Sequence, residues 1–289
     1  MRDQAEALRL KMQQSKIVGQ SIAVVSGKGG VGKSNFTTNF SNTLAAYGKK
    51  VIIVDMDIGM GNIHILLGKS SRNSLKDYLQ GDVSLQEVIF EGPNSLHYIS
   101  GGTGLAGLLE WSDLMFERLL TAFENLQATY DYILFDMGAG ATNWSLDLLV
   151  AVDDIIVVST TEPTSIMDAY SMMKYIHYKD REKNFYLLCN RVLTNEEGSD
   201  TLNRLKQTMA RFLAKEVTIL GALPEDKLVR QAVKRQVPFS ILYPNAQITK
   251  TLKEITNRFI EGNTKEIIVP IQSNNFISKL KSIFSKGSD

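Results

Sequence analysis

This chain of 289 residues has little of what several function classes need: one cysteine, two tryptophans, three histidines and six prolines. A single thiol closes no disulfide within the chain. It also lies in the apolar run 185–189, so a fold stapled by disulfides is excluded and a reducing interior is expected. The histidines at 64, 97 and 177 share no metal-ligand spacing and stand beside no nucleophile, which leaves His-ligated metal chemistry and Ser–His or Cys–His catalysis without candidates. Net charge is nearly absent, since 32 basic and 31 acidic residues leave +1. No global field therefore draws the chain to nucleic acid. No stretch approaches the ~18 uninterrupted apolar residues of a membrane span, and the charged opening MRDQAEALR is unlike a signal peptide. The expected compartment is the cytoplasm. With 44% hydrophobic residues, the chain can bury the core of one large α/β domain or two small ones.

What is present is concentrated at residues 21–34, SIAVVSGKGGVGKS. A short apolar run feeds a glycine-rich turn ending in Lys33 and Ser34, which fits G-x-x-x-x-G-K-(S/T) with Gly27 and Gly32 at the fixed positions. Glycine permits close backbone approach, so the N–H groups of residues 27–35 (Gly27, Lys28, Gly29, Gly30, Val31, Gly32, Lys33, Ser34, Asn35) can converge on phosphate oxygens. Phe36, Phe40 and Leu44 follow at helical spacing, which places a helix N-terminus behind those phosphates. In this chemistry Lys33 reaches the β- and γ-phosphates and the Ser34 hydroxyl ligates Mg2+.

Lys28 is a second cation that an ordinary phosphate loop does not require. KGGVGK resembles the deviant Walker A loop of MinD/ParA-type ATPases. The resemblance implies a P-loop NTPase fold of the MinD kind: α/β, a doubly wound, mostly parallel sheet flanked by helices. It also implies that Lys28 crosses a dimer interface to the partner's nucleotide, so that ATP is sandwiched in a homodimer and hydrolysed to ADP and phosphate slowly and dimer-dependently.

The β-branched run 51–54 ends in Asp55-Met56-Asp57, at the strand edge where open α/β sheets place their sites. Side chains alternate along an extended chain, so only one of the two acids is expected to face the phosphates. The MinD pattern D-x-D-I-G gives that role to Asp57, which orients the attacking water, and leaves Asp55 a supporting one. Residues 132–135 form a further strand ending in Asp136, a Walker B arrangement that holds Mg2+, through water. Gly138 and Gly140 let the following loop sense the γ-phosphate and move after hydrolysis. MinD and ParA proteins usually carry proline where this chain has Gly138, and DxGAG looks more like the flagellar branch of MinD-like ATPases. The acids Asp153 and Asp154 precede the strand at 155–159 and are expected to be solvated. Thr164 or Ser165 is the expected cap of the next helix.

The strand 185–189 ends in Asn190-Arg191, and a carboxamide can match the N6/N7 edge of adenine. A strand-end asparagine also makes turns, but the resemblance assigns Asn190 to the base. It likewise brings Pro224, Glu225 and Asp226 over the nucleotide, after a last strand at 217–220. Lys227, Arg230, Lys234 and Arg235 share one helix face, expected to be solvated and not a nucleic-acid surface.

Two terminal segments complete the reading. Ala5, Leu8 and Met12 form a narrow amphipathic pattern, too short to be a stable helix alone. Asp3, Gln4, Ala5, Leu8 and Arg9 lie in DQAEALR, which resembles the DQAxxLR activator of the flagellar ATPases called FlhG, FleN or YlxH. That resemblance implies docking on the signal-recognition-type GTPase FlhF and stimulation of its GTP hydrolysis, with flagellar C-ring proteins as further partners. At the other end, residues 263–275 read as a linker. Phe276, Ile277, Leu280, Ile283 and Phe284 then form an apolar stripe, with Lys279 and Lys281 on the remaining surface. A basic amphipathic helix of this kind lies in a membrane plane; packing on its own domain gives the same stripe. The expected organisation is an activator segment at 1–20, an ATPase domain at 21–262 and a linker with a membrane-targeting helix at 263–289. The expected function is an ATP-dependent dimerising switch at the cytoplasmic face of a bacterial cell membrane that sets flagellar number or placement. A septum-site MinD or a DNA-partitioning ParA is the alternative.

Overall fold

A computed structural model describes residues 18–57, 61–102, 112–138, 143–266 and 275–285. Eight strands make one sheet: β1 (Gln20–Val25), β2 (Val51–Asp55), β3 (Ile89–Glu91), β4 (His97–Ile99), β5 (Tyr132–Asp136), β6 (Asp154–Ser159), β7 (Asn184–Val192) and β8 (Thr218–Pro224). Their order is β3-β4-β2-β5-β1-β6-β7-β8, and every pair is parallel except the edge hairpin β3–β4. The expected doubly wound, mostly parallel sheet is what the chain forms.

The longer helices are α1 (Lys33–Ala46), α2 (Asp113–Thr129), α3 (Asn143–Ala151), α4 (Pro163–Lys179), α5 (Asn195–Leu213), α6 (Lys227–Lys234), α7 (Gln247–Glu266) and α8 (Asn275–Ser285). Alternation along β1 shows how they divide. Ala23 and Val25 face a core layer shared with α2, α4 and α5, whereas Ile22 and Val24 face one built with α1 and α7. Both faces are covered, which is why β1, β2 and β5 read as unbroken apolar runs. β1 lies between β5 and β6, so the loop after it opens where the crossover direction changes, the usual ligand position in such sheets.

Several local expectations are corrected. Asp153 and Asp154 are not solvated. Asp153 accepts from the Ser21 N–H at 2.8 Å and the Ser21 hydroxyl at 2.6 Å, and burial raises its pKa. Asp154 is buried and accepts from Gln20. These acids tie β6 to the start of β1. Neither Thr164 nor Ser165 caps α4: Pro163 opens the helix after Glu162, as its fixed φ and missing N–H allow, and the Ser165 hydroxyl instead accepts from the Thr160 N–H. Helix α5 was unforeseen, although Thr194 caps it by accepting from the Glu197 N–H. Helix α7 runs to Glu266, past the expected domain end at 262.

Helix α8 lies on the domain. Phe276 and Leu280 are fully buried, and the Phe276 ring centroid is 5.5 Å from that of Phe123 on α2 and 5.8 Å from that of Phe135 on β5. Ile277 is half-buried against the same cluster. Lys279 pairs with Asp180 and Lys281 with Glu124, each at 2.8 Å. The side chains of Ile283 and Phe284 lie outside the described set, as do residues 267–274 of the expected linker.

Candidate functional site

The C-terminal ends of β1, β2, β5 and β7 bring the sequence-selected residues to one edge of the sheet. After β1 the chain turns through a loop that closes at Gly32, with φ +90°, directly before α1. This left-handed conformation favours glycine. A second constraint is spatial, because a Cβ on residue 32 would lie 2.4 Å from the Asn190 side-chain nitrogen. Asn190 Nδ2 donates to the Val31 carbonyl at 2.8 Å. The carboxamide at the end of β7 therefore braces the phosphate loop through its nitrogen.

Lys33 is buried, and its Nζ sits 3.0 Å from Asp136 Oδ1. The Thr37 hydroxyl, one turn further along α1, is 3.0 Å from the same oxygen. Asp55 is the register partner of Asp136 across β2 and β5. Burial, with the nearby Asp136 charge as a second cause, raises the Asp55 carboxyl to about 7. Asp55 accepts from the backbone N–H of Asp57 at 3.0 Å and of Ile63 at 3.4 Å, so it restrains the loop after β2. Asp57 is half-exposed in that loop. A Cβ at Gly138 would lie 3.3 Å from Asp57 Oδ1, so the two loops meet and a bulkier residue at 138 would crowd this carboxylate. Gly140 lies outside the described residues, as do Asp3, Gln4, Ala5, Leu8 and Arg9.

Lys28 stands apart from the buried group. It is exposed, with its ammonium 2.8 Å from Glu162 Oε2 and 3.5 Å from the Thr164 hydroxyl. The Glu162 hydrogen bond and charge raise its pKa. In this conformation the lysine is held by its own chain at the start of α4.

Beside the loop is a cavity of ≈300 Å³ that gathers Gly30, Gly32 and Asn35 with Asn190, Arg191, Pro224, Glu225 and Asp226. Sequence reasoning missed its apolar wall, formed by Phe36, Leu223, Val229, Phe239 and Ile248. Phe36 belonged to a helical stripe indistinguishable from core packing. The rim carries a charge clamp in which Glu225 binds Arg191 Nε at 2.8 Å and Arg230 at 3.2 Å. Those contacts, Arg191 first, lower the Glu225 pKa.

Among the described residues, no three His, Cys, Asp or Glu side chains form a metal cage. A phosphate-loop Mg2+ does not require one, since it keeps waters and phosphate oxygens as ligands. The Ser34 hydroxyl at the helix start and the buried Asp136 carboxylate fit that demand. Taken together, an anion cradle, an adjacent carboxylate pair and a slot for a flat base can hold a nucleoside polyphosphate.

Comparison with known proteins agrees with this geometry. A family profile described as "ParA: NUBPL iron-transfer P-loop NTPase" matches residues 17–260. The antiactivator FleN of Pseudomonas aeruginosa is 29% identical over 239 residues, covering 83% of this chain and 85% of FleN. The flagellum site-determining protein YlxH of Helicobacter pylori is 32% identical over 267 residues, covering 92% and 88%. In fold, the chain resembles the septum site-determining protein MinD complexed with Mg-ADP from Pyrococcus horikoshii, with TM-score 0.70 and 23% identity over 83% of this chain and 96% of that one.

Proposed function

The chain belongs to the ParA/MinD family of P-loop NTPases, and from that premise we propose that it is an ATP-dependent, dimerising and membrane-associating ATPase switch that regulates flagellar number or placement. The observation that carries the enzymatic part is the buried Lys33–Asp136 pair at 3.0 Å behind a glycine loop, with Lys28 exposed outside it. In this reading one lysine serves the chain's own nucleotide, and the other has only the exposed Glu162 pair to give up before it can reach a partner. The flagellar assignment rests on the FleN and YlxH relatives together with DQAEALR and Gly138. A septum-site MinD shares the core but accounts for neither sequence feature. Arg230, central to the basic face that a DNA-partitioning protein would use, is engaged by Glu225.

In this reading Lys33 leaves Asp136 for the β- and γ-phosphates. Asn190 accepts the adenine amine through its free oxygen, and the apolar wall covers the ring. Ser34 and, through water, Asp136 would hold Mg2+, which would supply charge neutralisation on the phosphate oxygens. Asp57 orients the attacking water, while Gly138 leaves it room. Lys28 is released from Glu162 and stabilises charge on the partner's nucleotide, as an arginine finger acts in trans with an effect of ~10³–10⁵ in rate. The iron transfer named in the profile's description has no thiolate set here. Iron–sulfur clusters are held by cysteines, and burial raises the sole one, Cys189, to about 12.

The output is membrane residence. With α8 docked, Phe276 and Leu280 are unavailable to lipid. In the ATP dimer two released helices bind together, and effective concentration strengthens an attachment that one copy makes only reversibly. The N-terminal segment stimulates FlhF, with C-ring proteins as further partners. The enzymatic reading is tested by ATP turnover across protein concentrations, alongside sedimentation velocity. Turnover per chain should rise with concentration as dimers form, and Lys28→Ala should remain monomeric with turnover at least ~10³-fold lower. Concentration-independent turnover, unchanged in Lys28→Ala, would sink the dimer mechanism.

A further inference from the structure

We infer that Thr37 is a positioning residue for the Asp136 carboxylate, which it holds in place when Lys33 departs for the phosphates. The inference rests on the nucleotide reading above and names a residue outside the phosphate-loop motif.

Thr37 is completely buried. Its hydroxyl lies between two acceptors, 3.0 Å from the Lys33 carbonyl one helical turn back and 3.0 Å from Asp136 Oδ1. A hydroxyl has one hydrogen to give, so it serves one of them at a time. The Lys33 ammonium, also 3.0 Å from Oδ1, supplies the carboxylate with charge and hydrogen. While that pair stands, the Thr37 hydrogen can return to the helix carbonyl, the ordinary resting bond of a mid-helix threonine.

Binding of a polyphosphate changes the accounting. Lys33 serves the phosphates and Asp136, 1% exposed, loses its cation while the Asp55 carboxyl stays beside it. A buried carboxylate without a donor is expensive and would turn toward another one. Rotation about the Thr37 Cβ–Oγ bond transfers the hydrogen from the Lys33 carbonyl to Asp136 Oδ1 with no movement of the backbone. Both donors reach the same oxygen, Oδ1, so exchanging one for the other leaves Oδ2 open to a metal-bound water, should the site take up Mg2+. Thr37 thus keeps one face of Asp136 fixed while the charge partner on that face changes.

The test uses the full chain with Thr37→Val, which keeps the branched shape and removes the hydroxyl, and Thr37→Ser, which restores the hydroxyl on a smaller side chain. Binding of a fluorescent ADP analogue is measured in chelator and across a Mg2+ titration. Thr37→Val should leave metal-free binding within about threefold of the parent and raise the Mg2+ midpoint about 10- to 100-fold, the factor that a hydrogen bond to a charged group is worth. Thr37→Ser should return the midpoint to within about threefold. A Mg2+ midpoint unchanged in Thr37→Val overturns the inference. So does an equal shift in both variants, which would show a packing role, or an equal loss with and without metal, which would show general damage. ADP binding that ignores Mg2+ in the parent would also overturn it, by removing the metal role of Asp136, whereas no ADP binding by the parent would overturn the nucleotide reading itself, and this inference with it.

Discussion

Replacing Gly32 by alanine tests whether the base-end asparagine and the phosphate loop form one mechanical unit. Two penalties are separable. Holding a non-glycine residue at φ +90° costs roughly 1–2 kcal/mol. The new Cβ would also stand 2.4 Å from Asn190 Nδ2, so Asn190 must swing away and give up its bond to the Val31 carbonyl, worth about 0.5–1.5 kcal/mol. The sum, about 1.5–3.5 kcal/mol, corresponds to a fall in melting temperature of roughly 3–14 °C for a domain of this size. Asn190→Ala alone should cost only the hydrogen bond. Combining the two should cost no more than Gly32→Ala alone, because the bond lost to the clash is already gone. Differential scanning calorimetry of the four chains without nucleotide gives the cycle. Additive losses would refute the reasoning, since they would mean that the Cβ and the carboxamide never meet.

Further expectations follow from other parts of the molecule. Phe276→Ala removes the ring buried against Phe123 and Phe135; at ~3–5 kcal/mol for such a truncation, the docking equilibrium of α8 should fall roughly 10²–10⁴-fold, read as lost amide-exchange protection at Asn275–Ser285. Unchanged protection would contradict the packing described. Burial, and then the Lys279 charge, depresses the Lys183 ammonium to about 8. A lysine depressed in the folded state makes the unfolded chain bind more protons between pH ~8 and ~10.4, so stability should rise across that window. The rise should vanish in Lys183→Met, measured as the difference between the two chains in denaturant unfolding; parallel curves would refute it. Glu162→Gln removes the carboxylate that retains Lys28, and half-maximal ATP turnover should then need less protein; no change would argue that the pair does not restrain dimerisation.

How much of this was legible in the sequence depended on whether a residue's job was local. Gly32, Lys33 and Ser34 do their work within one loop, and Asp55 and Asp136 end runs so apolar that a buried parallel strand was the natural reading. Thr194 with Glu197 at the start of α5 is an equally local signal. Asp153 and Asp154 were misread because their partners, Ser21 and Gln20, lie more than a hundred residues away and come alongside only when β6 pairs with β1. The stripe on α8 shows the same limit. Its spacing declares one apolar face, but whether lipid or Phe123 covers that face is a property of the fold. The apolar wall of the cavity beside the phosphate loop is illegible for a related reason, because Phe36 and Ile248 look like core residues until α1 and α7 leave a slot between them and β8.

The measurement that bears most directly on the central claim is co-sedimentation with anionic vesicles in ATP or ADP. It compares the intact chain, Asp57→Ala and a chain ending at Gln272. The account predicts that Asp57→Ala with ATP pellets, that the intact chain with ADP stays in solution, and that the shortened chain stays in solution with either nucleotide. Pelleting that ignores the nucleotide, or that persists without α8, would contradict a membrane switch driven by the ATP site.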